Sequence, residues 1–346
     1  MTPEMIAAAF LRGETVADSK AFGSGHINRT CLITTDSGNR YVLQNINTYV
    51  FPEPDQVMAN VVAVTNHLRG KGQTALEFWS DQDGNFCHRE PDGSCWRLYR
   101  FVDGLALDAP RSIHDLYQAG LAFGCFQQHL EDFPAETLFE SIPNFHNTPD
   151  RYRKFKAAVD ADVLGRAAAV QAEIHQFLAW EEMAGKLCAM LQQGQLPLRV
   201  THNDTKLNNV LLSKDTGKAL CVLDLDTVMP GLSAWDFGDG IRFGAAVSGE
   251  DANTNALDLQ RFRTFAEGFL EGAPNLTKAE IDALPLGAFT MTLEVGLRFL
   301  TDYLEGDRYF KTDYPDHNLH RARNQMALAT DIEKKLPQLE QLIQNL

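Results

Sequence analysis

The residues best suited to chemistry lie in one stretch, residues 199–230, which reads RVTHNDTKLNNVLLSKDTGKALCVLDLDTVMP. Two short apolar runs, residues 210–212 and 219–223, flank a polar turn at 213–218, the pattern of a β-hairpin. His202, Asp204, Asn208 and Asn209 precede the first run, and Asp224 and Asp226 follow the second. A hairpin brings its outer ends together, so the pattern predicts that Asp204, Asn209 and Asp224 converge. Carboxylates and an amide without a thiolate suit a hard cation such as Mg²⁺. Phosphoryl transfer needs one carboxylate to orient or deprotonate the attacking hydroxyl, and an amide and a second carboxylate to hold Mg²⁺ across the phosphates. The order Asp204, Asn209, Asp224 fills those roles in turn. The structural alternative is that the same polar groups only cap the hairpin and satisfy its turn amides.

Upstream, Gly23-Ser24-Gly25 precedes a strand, a setting in which backbone N–H groups approach a phosphate closely. A tight hairpin uses the same glycines, and only the catalytic set further on tips the balance toward phosphate. Protein kinases carry a phosphate-pairing Lys on a strand at this stage. Here that strand reads Tyr41-Val42-Leu43-Gln44-Asn45-Ile46, and Gln44 stands at the matching place. An amide can hydrogen-bond a phosphate but supplies no charge. Arg100-Phe101-Val102-Asp103-Gly104 reads as a hinge between lobes, with backbone groups of Arg100 and Val102 as candidates to pair with adenine.

The H-N-D-x-x-x-x-N loop and the apolar-apolar-Asp that follows it resemble the aminoglycoside phosphotransferase family, which also includes kinases for choline, homoserine and sugars. The segments Asp224-Leu225-Asp226-Thr227 and Trp235-Asp236-Phe237-Gly238-Asp239, with Gly23-Ser24-Gly25-His26-Ile27-Asn28, are similar to its N-acetylhexosamine 1-kinase branch. The likeness runs over residues 23–314. It implies an α+β, bilobal protein-kinase-like fold. Residues 1–103 would form a small β-rich nucleotide-binding lobe, and residues 104–346 a larger helical lobe for catalysis and substrate. It also implies ATP as phosphoryl donor, Mg²⁺ as cofactor, and transfer to the anomeric hydroxyl of N-acetylglucosamine or N-acetylgalactosamine. The sugar pocket would map to His26, Asp204, Thr227, Phe243, Arg298 and Tyr309.

The elements needed to position these groups are legible in outline. Residues 22–35 read as a turn followed by a strand, further strands are predicted at 40–46, 85–88 and 95–102, and helices at 4–11, 54–70, 113–130 and 168–193. Residues 133–149 read as loop. After the hairpin, Trp235 begins a helical run in which Asp236 either caps the helix or holds the catalytic loop, capping being the commoner task. Further helices are expected at 257–270, 278–284, 286–304 and 318–336, with Pro285 and Pro337 setting breaks. Glu294 and Arg298 stand four apart on one of them, so the plain reading is an ion pair and the functional one an Arg aimed at a sugar.

A chain of 346 residues with 44% apolar and 22% charged residues can bury a large core. Its formal charge of −15 argues against nucleic acid and anionic membranes as partners. The six cysteines show no C-x-x-C spacing, which reads as reduced, buried thiols in a cytoplasmic protein, although Cys87 and Cys95 could face each other across a hairpin. No run approaches ~18 uninterrupted apolar residues, so no membrane span is expected. Three alternatives remain beside the sugar kinase. They are a kinase for choline, ethanolamine, an aminoglycoside or another sugar; a nucleotide-binding pseudokinase, which Gln44 favours; and a plain interaction protein.

Overall fold

Strand alternation and helix capping account for most of the architecture in the computed structural model, which describes residues 1–23 and 28–346. In chain order the first elements are α1 (Pro3–Ala8), β1 (Val16–Ala21), β2 (Arg29–Thr35), β3 (Arg40–Ile46), α2 (Pro54–Gly70), β4 (Phe78–Trp79), β5 (His88–Arg89) and β6 (Cys95–Arg100). There follow α3 (Ile113–His129), α4 (Thr148–Ala161), α5 (Gln171–Ala179), α6 (Glu181–Ala184), α7 (Lys186–Gln192) and the short strands β7 (Arg199–Thr201), β8 (Val210–Leu212), β9 (Ala219–Val222) and β10 (Met229–Gly231). The last four are α8 (Ser233–Gly244), α9 (Leu259–Gly272), α10 (Lys278–Glu305) and α11 (His317–Gln344). The chain divides into two compact units. One comprises Met1–Leu105, His129–Pro143 and Leu211–Pro230, and the other Ala106–Gln128, Asn144–Val210 and Gly231–Leu346. The chain first leaves the first unit after Leu105, and two later segments belong to that unit again.

The first unit is built on an antiparallel sheet in the order β1-β2-β3-β6-β4, with β5 also paired to β6. Side chains alternate across it with period two. Cys31 and Ile33, Tyr41 and Leu43, and Trp96 and Leu98 bury one face beneath Ile6, Phe10 and Leu11 at the start of the chain. On the opposite face the register lines up Thr30 with Gln44 and Gln44 with Arg97. Helix α2 buries Val57, Met58, Val61 and Val64 and packs against the 3₁₀ turn Leu225–Thr227. Strand β1, too polar at Asp18, Ser19 and Lys20 to read as a strand, is held by its edge pairing to β2.

The second unit is helical. Helix α10 begins at a full capping box, Thr277 with Glu280, and ends at Gly306 in the left-handed region. It packs on α8, α11 and α4. The backbones of α8 and α10 meet at Gly238 and Gly287: a Cβ at Gly287 would lie 2.0 Å from the Ala234 carbonyl oxygen, and one at Gly238 2.2 Å from that of Gly287. Helix α10 is also long and apolar enough to cross a membrane by composition, yet 83% of its most apolar window is buried within the protein.

Several sequence expectations are corrected. Pro285 and Pro337 lie inside continuous helices, not at breaks. A proline removes one helical hydrogen bond; at the buried Pro285 the packing of α10 on α8, α11 and α4 keeps the chain helical through it, whereas Pro337 lies on an exposed face of α11. The expected helix over 168–193 is instead a 3₁₀ turn followed by α5, α6 and α7. The loop expected to Pro149 ends sooner, since Asn147 caps α4 by accepting the Asp150 N–H at 3.1 Å. Cys87 and Cys95 are joined as a disulfide, their Cα atoms 5.8 Å apart across the β5–β6 turn, while Cys31, Cys125, Cys188 and Cys221 are free thiols.

The α8–α10 contact is open to test. Gly287→Ala is expected to cost about 1–3 kcal/mol by overpacking, measured by urea denaturation. Gly185→Ala, where the nearest atom would stand at 3.5 Å, is expected to change stability by less than about 1 kcal/mol.

Candidate active site

The loop from His202 to Asn209 leaves β7 and ends in a 3₁₀ turn, Leu207–Asn209, that leads into β8. Two buried carboxylates on α8 accept its backbone N–H groups. Asp236 accepts the backbone N–H of His202 at 2.9 Å and of Asn203 at 2.7 Å, and the Gln127 amide at 2.8 Å. Asp239 accepts the Thr205 N–H at 2.8 Å and binds the Arg242 guanidinium at 2.9 Å. Thr205 Oγ1 donates back to the Asp236 carbonyl at 2.6 Å. Asp236 is thus no helix cap, since Leu232 holds that position without a side-chain bond. Its complete burial pushes its pKa above the usual carboxylate range, against the pull of His202 and the amides. Asn203 adopts φ +63°, a left-handed turn that lets consecutive N–H groups point at one carboxylate.

That frame sets Asp204 and its neighbours. Asn209 Nδ2 donates to the Asp204 carbonyl at 2.8 Å and to its carboxylate at 3.0 Å, so the two residues converge as the spacing predicts. Lys206 Nζ lies 2.8 Å from the other carboxylate oxygen. Burial opposes the charge on Asp204, but Lys206, His202 and the Asn209 amide outweigh it and hold its pKa below the ordinary range. With both amide hydrogens turned to Asp204, the Asn209 Oδ1 is left as an acceptor, a hard oxygen of the kind Mg²⁺ takes. Phe243 sits beside this loop, its ring centroid 5.2 Å from Lys206 Nζ and 3.8 Å from the Arg242 guanidinium carbon.

Asp224 belongs to the first unit, where it follows β9 with φ +55° and ψ 60° and opens the 3₁₀ turn Leu225–Thr227 that contains Thr227. Among the described residues no three His, Cys, Asp or Glu gather as metal ligands; the expected donors are one amide and one carboxylate, Asn209 and Asp224. Ser24, Gly25 and His26 lie outside the described residues, and Gly23 has φ +80°, a Cβ there meeting nothing within 4 Å among the described residues. In the expected hinge, the Arg100 N–H bonds the Glu77 carbonyl at 2.9 Å and that of Phe101 the Arg40 carbonyl at 3.0 Å. Among the described residues the Val102 backbone makes no such bond, which leaves it available. Gln44 is turned toward Arg97, which donates to its Oε1 from Nε at 3.0 Å and from Nη2 at 2.8 Å.

In the second unit Arg298 and Tyr309 line one cavity of about 170 Å³ with Arg151, Lys154, Asp302 and Phe310. The expected Glu294–Arg298 pair is absent. Glu294 instead accepts from His146 at 3.0 Å and Thr148 at 2.9 Å, drawn to the amino end of α4 where the helix dipole favours a carboxylate. Arg298 lies near the rings of Phe145, Tyr309 and Phe310 at 5.3–5.6 Å and has no carboxylate at ion-pair distance among the described residues. Asp302 holds the wall of the cavity by accepting the N–H groups of Arg308, Tyr309 and Phe310 at 2.8–2.9 Å. Burial and the neighbouring Arg298 depress the pKa of Arg151.

A model of the phosphotransferase enzyme family matches residues 18–273. The chain belongs to that family. It shares its fold with an aminoglycoside phosphotransferase from Alicyclobacillus acidocaldarius (15% identity, 100% of this chain and 97% of that one, TM-score 0.66). A microcompartment-associated aminopropanol kinase is similarly close (14% identity, 97% of both chains, TM-score 0.65). The amicoumacin kinase hAmiN, solved with AMP-PNP, Ca²⁺ and Ami, matches over 100% of this chain and 94% of its own at 15% identity and a TM-score of 0.58. The mixed α+β, kinase-like fold and a phosphotransferase activity with an alcohol acceptor follow for this phosphotransferase.

Sequence reasoning passed over Lys206, Arg97 and Arg151, and quoted Asp239 only as part of a matching segment, without a role. A cation two residues after Asp204 was a readable signal; the others depend on tertiary contacts. Lys206→Met is expected to raise the Asp204 pKa. Activity that needs the carboxylate is lost as pH falls through that pKa, so the acid limb of kcat/KM should move to higher pH than in the parent. Asp236→Asn, which replaces a carboxylate oxygen facing backbone N–H groups, should cost about 1–3 kcal/mol in urea unfolding.

Proposed function

We propose that this phosphotransferase transfers the γ-phosphoryl group of ATP to the anomeric hydroxyl of a small neutral sugar, N-acetylglucosamine or N-acetylgalactosamine, giving the sugar 1-phosphate. The observation that carries this reading is the cavity at Arg298. It brings together three cations, Arg151, Lys154 and Arg298, beside the rings of Tyr309 and Phe310. Against them stand two acids, Asp302, which is engaged by backbone amides, and Glu305, so the lining keeps a small formal excess of positive charge, which favours a neutral acceptor over a cationic one. A guanidinium without a carboxylate partner is suited to an amide carbonyl and hydroxyl oxygens, and an aromatic wall to the apolar face of a sugar ring. The volume lies below the ~300 Å³ of a drug-sized ligand site and suits a monosaccharide better than a multi-ring antibiotic.

In this reading Asp204 accepts the acceptor's hydroxyl proton as the sugar oxygen bonds the γ-phosphorus and the bond to ADP breaks. Its lowered pKa keeps it ionised at neutral pH, and Lys206 and Asn209 fix its direction. Asn209 and Asp224 would hold Mg²⁺, which when bound offsets charge on the phosphates. The Val102 backbone would meet the base of the nucleotide. A second reading, phosphorylation of an amino alcohol, has in its favour the solved aminopropanol kinase, whose fold this chain shares, and the exposed Glu305 at the cavity.

A coupled ADP-release assay with Mg·ATP separates the two. N-acetylglucosamine and N-acetylgalactosamine should turn over, with NMR showing a sugar 1-phosphate, while aminopropanol, ethanolamine, choline and kanamycin should not. Turnover confined to the amino alcohols would discard the sugar reading. Asp204→Ala should lower kcat by at least about 100-fold with an unchanged melting curve, and Arg298→Ala should raise KM for the sugar by about tenfold or more while leaving KM for ATP unchanged.

A further inference from the structure

The strand position that carries a Lys in protein kinases holds Gln44 here, and the missing positive charge stands one strand away. Gln44 on β3 and Arg97 on β6 are direct partners in the sheet register, so both side chains rise from the face opposite α1. Thr30, Gln44's partner on β2, accepts from Gln44 Nε2 at 3.1 Å, which turns the Oε1 toward Arg97. That oxygen takes two guanidinium hydrogens, and the Nη1 end is ion-paired to Asp226, both partners 3% exposed. The remaining Asp226 oxygen accepts from Asn28 Nδ2 at 2.7 Å, and the Asp226 carbonyl from Ser141 at 3.0 Å. On α2, where a kinase would offer a Glu, the group nearest Arg97 is the Met58 sulfur, at 3.8 Å from Nη1. The guanidinium is therefore not shared with a helix. It is fastened to the turn that begins at Asp224.

We propose that Arg97 is the positioning residue of the metal-binding turn, holding Asp226 so that Asp224, two residues earlier, keeps the left-handed conformation from which it would bind Mg²⁺. This rests on the reading of Asp224 as a metal ligand. Arg97 does not touch substrate; it acts through Asp226. The left-handed conformation costs an L-residue such as Asp224 conformational free energy, and a turn with two acidic side chains repels itself. A buried guanidinium locked by Gln44 answers both problems, because it fixes the position of the second acid and offsets its charge. Gln44 is then accounted for as well: a Lys there would set a second cation against Arg97.

The test separates positioning from stability. A buried ion pair replaced by apolar residues of similar size often keeps or gains stability, so Arg97→Met combined with Asp226→Leu should melt near the parent. The readout is the affinity for AMP-PNP by calorimetry, with MgCl₂ and with EDTA. The ratio of the two is the metal-dependent gain, and no turnover enters it. The double variant is expected to lose about tenfold or more of that gain, with affinity in EDTA little changed. Arg97→Lys, which keeps the charge but loses the fork to Gln44, should fall in between and covers the case in which the double variant does not fold. A well-folded double variant, or Arg97→Lys, with the parent's full gain would overturn the proposal. Asp224→Ala in the same assay tests the underlying reading: it should abolish the gain, and if it does not, Asp224 is not the ligand and the proposal falls on that separate ground.

Discussion

Buried carboxylates that accept backbone N–H groups are the interaction on which the candidate active site depends. A loop that departs from a strand at β7 leaves its amides without helical or sheet partners, and an unpaired buried N–H is costly. Asp236 and Asp239, one helical turn apart on α8, meet that need for His202, Asn203 and Thr205. Because the bonds go to backbone, they set the path of the loop whatever its side chains are, and so fix where Asp204 and Asn209 point. The frame is only as good as the placement of α8. That placement comes from the contact of Gly238 with Gly287, which brings two helix backbones within the thickness of a missing side chain.

Charge is arranged differently in the two units, although the whole chain carries a formal −15. In the sheet-bearing unit one buried guanidinium, Arg97, is enclosed by an amide and a carboxylate and is held charged, because Asp226 outweighs the burial that opposes it. In the helical unit Arg242 is likewise matched, by Asp239 and Glu250. Arg298 is the contrast. Glu294, four residues before it, is taken by His146 and Thr148, Asp302, four residues after it, by backbone amides, and the guanidinium faces a cavity with aromatic walls. Matched buried pairs add little net stability but fix geometry, whereas an unmatched cation at a cavity has binding capacity left over. That difference is the physical ground for reading Arg97 as positioning and Arg298 as binding.

Much of the site was legible in the chain before any fold was known. Asp204 and Asn209 meet because five residues of loop closing into a 3₁₀ turn bring them together, a local relation that spacing encodes. Strand β3 and helix α2 have the predicted bounds, since alternation at one and a proline start with 3.6-residue periodicity at the other are also local signals. Where the reading went astray, a distant partner decided. Pro285 is buried within α10, which packs on α8, α11 and α4, and β1 is a strand through its pairing with β2 despite a polar sequence.

The sequence alone determined the order and residue types of the candidate site and pointed to phosphoryl transfer, the class of the family to which the chain belongs, because a carboxylate, an amide and a second carboxylate on a hairpin restrict what can be bound and activated. Tertiary structure alone decided which charges are matched. Arg97 and Asp226 are 129 positions apart, His146 and Glu294 are 148 apart, and Asp236 is 34 residues from the loop amide it holds. Side-chain pairing across such separations depends on which faces the packed elements turn toward each other, and no local pattern carries that information.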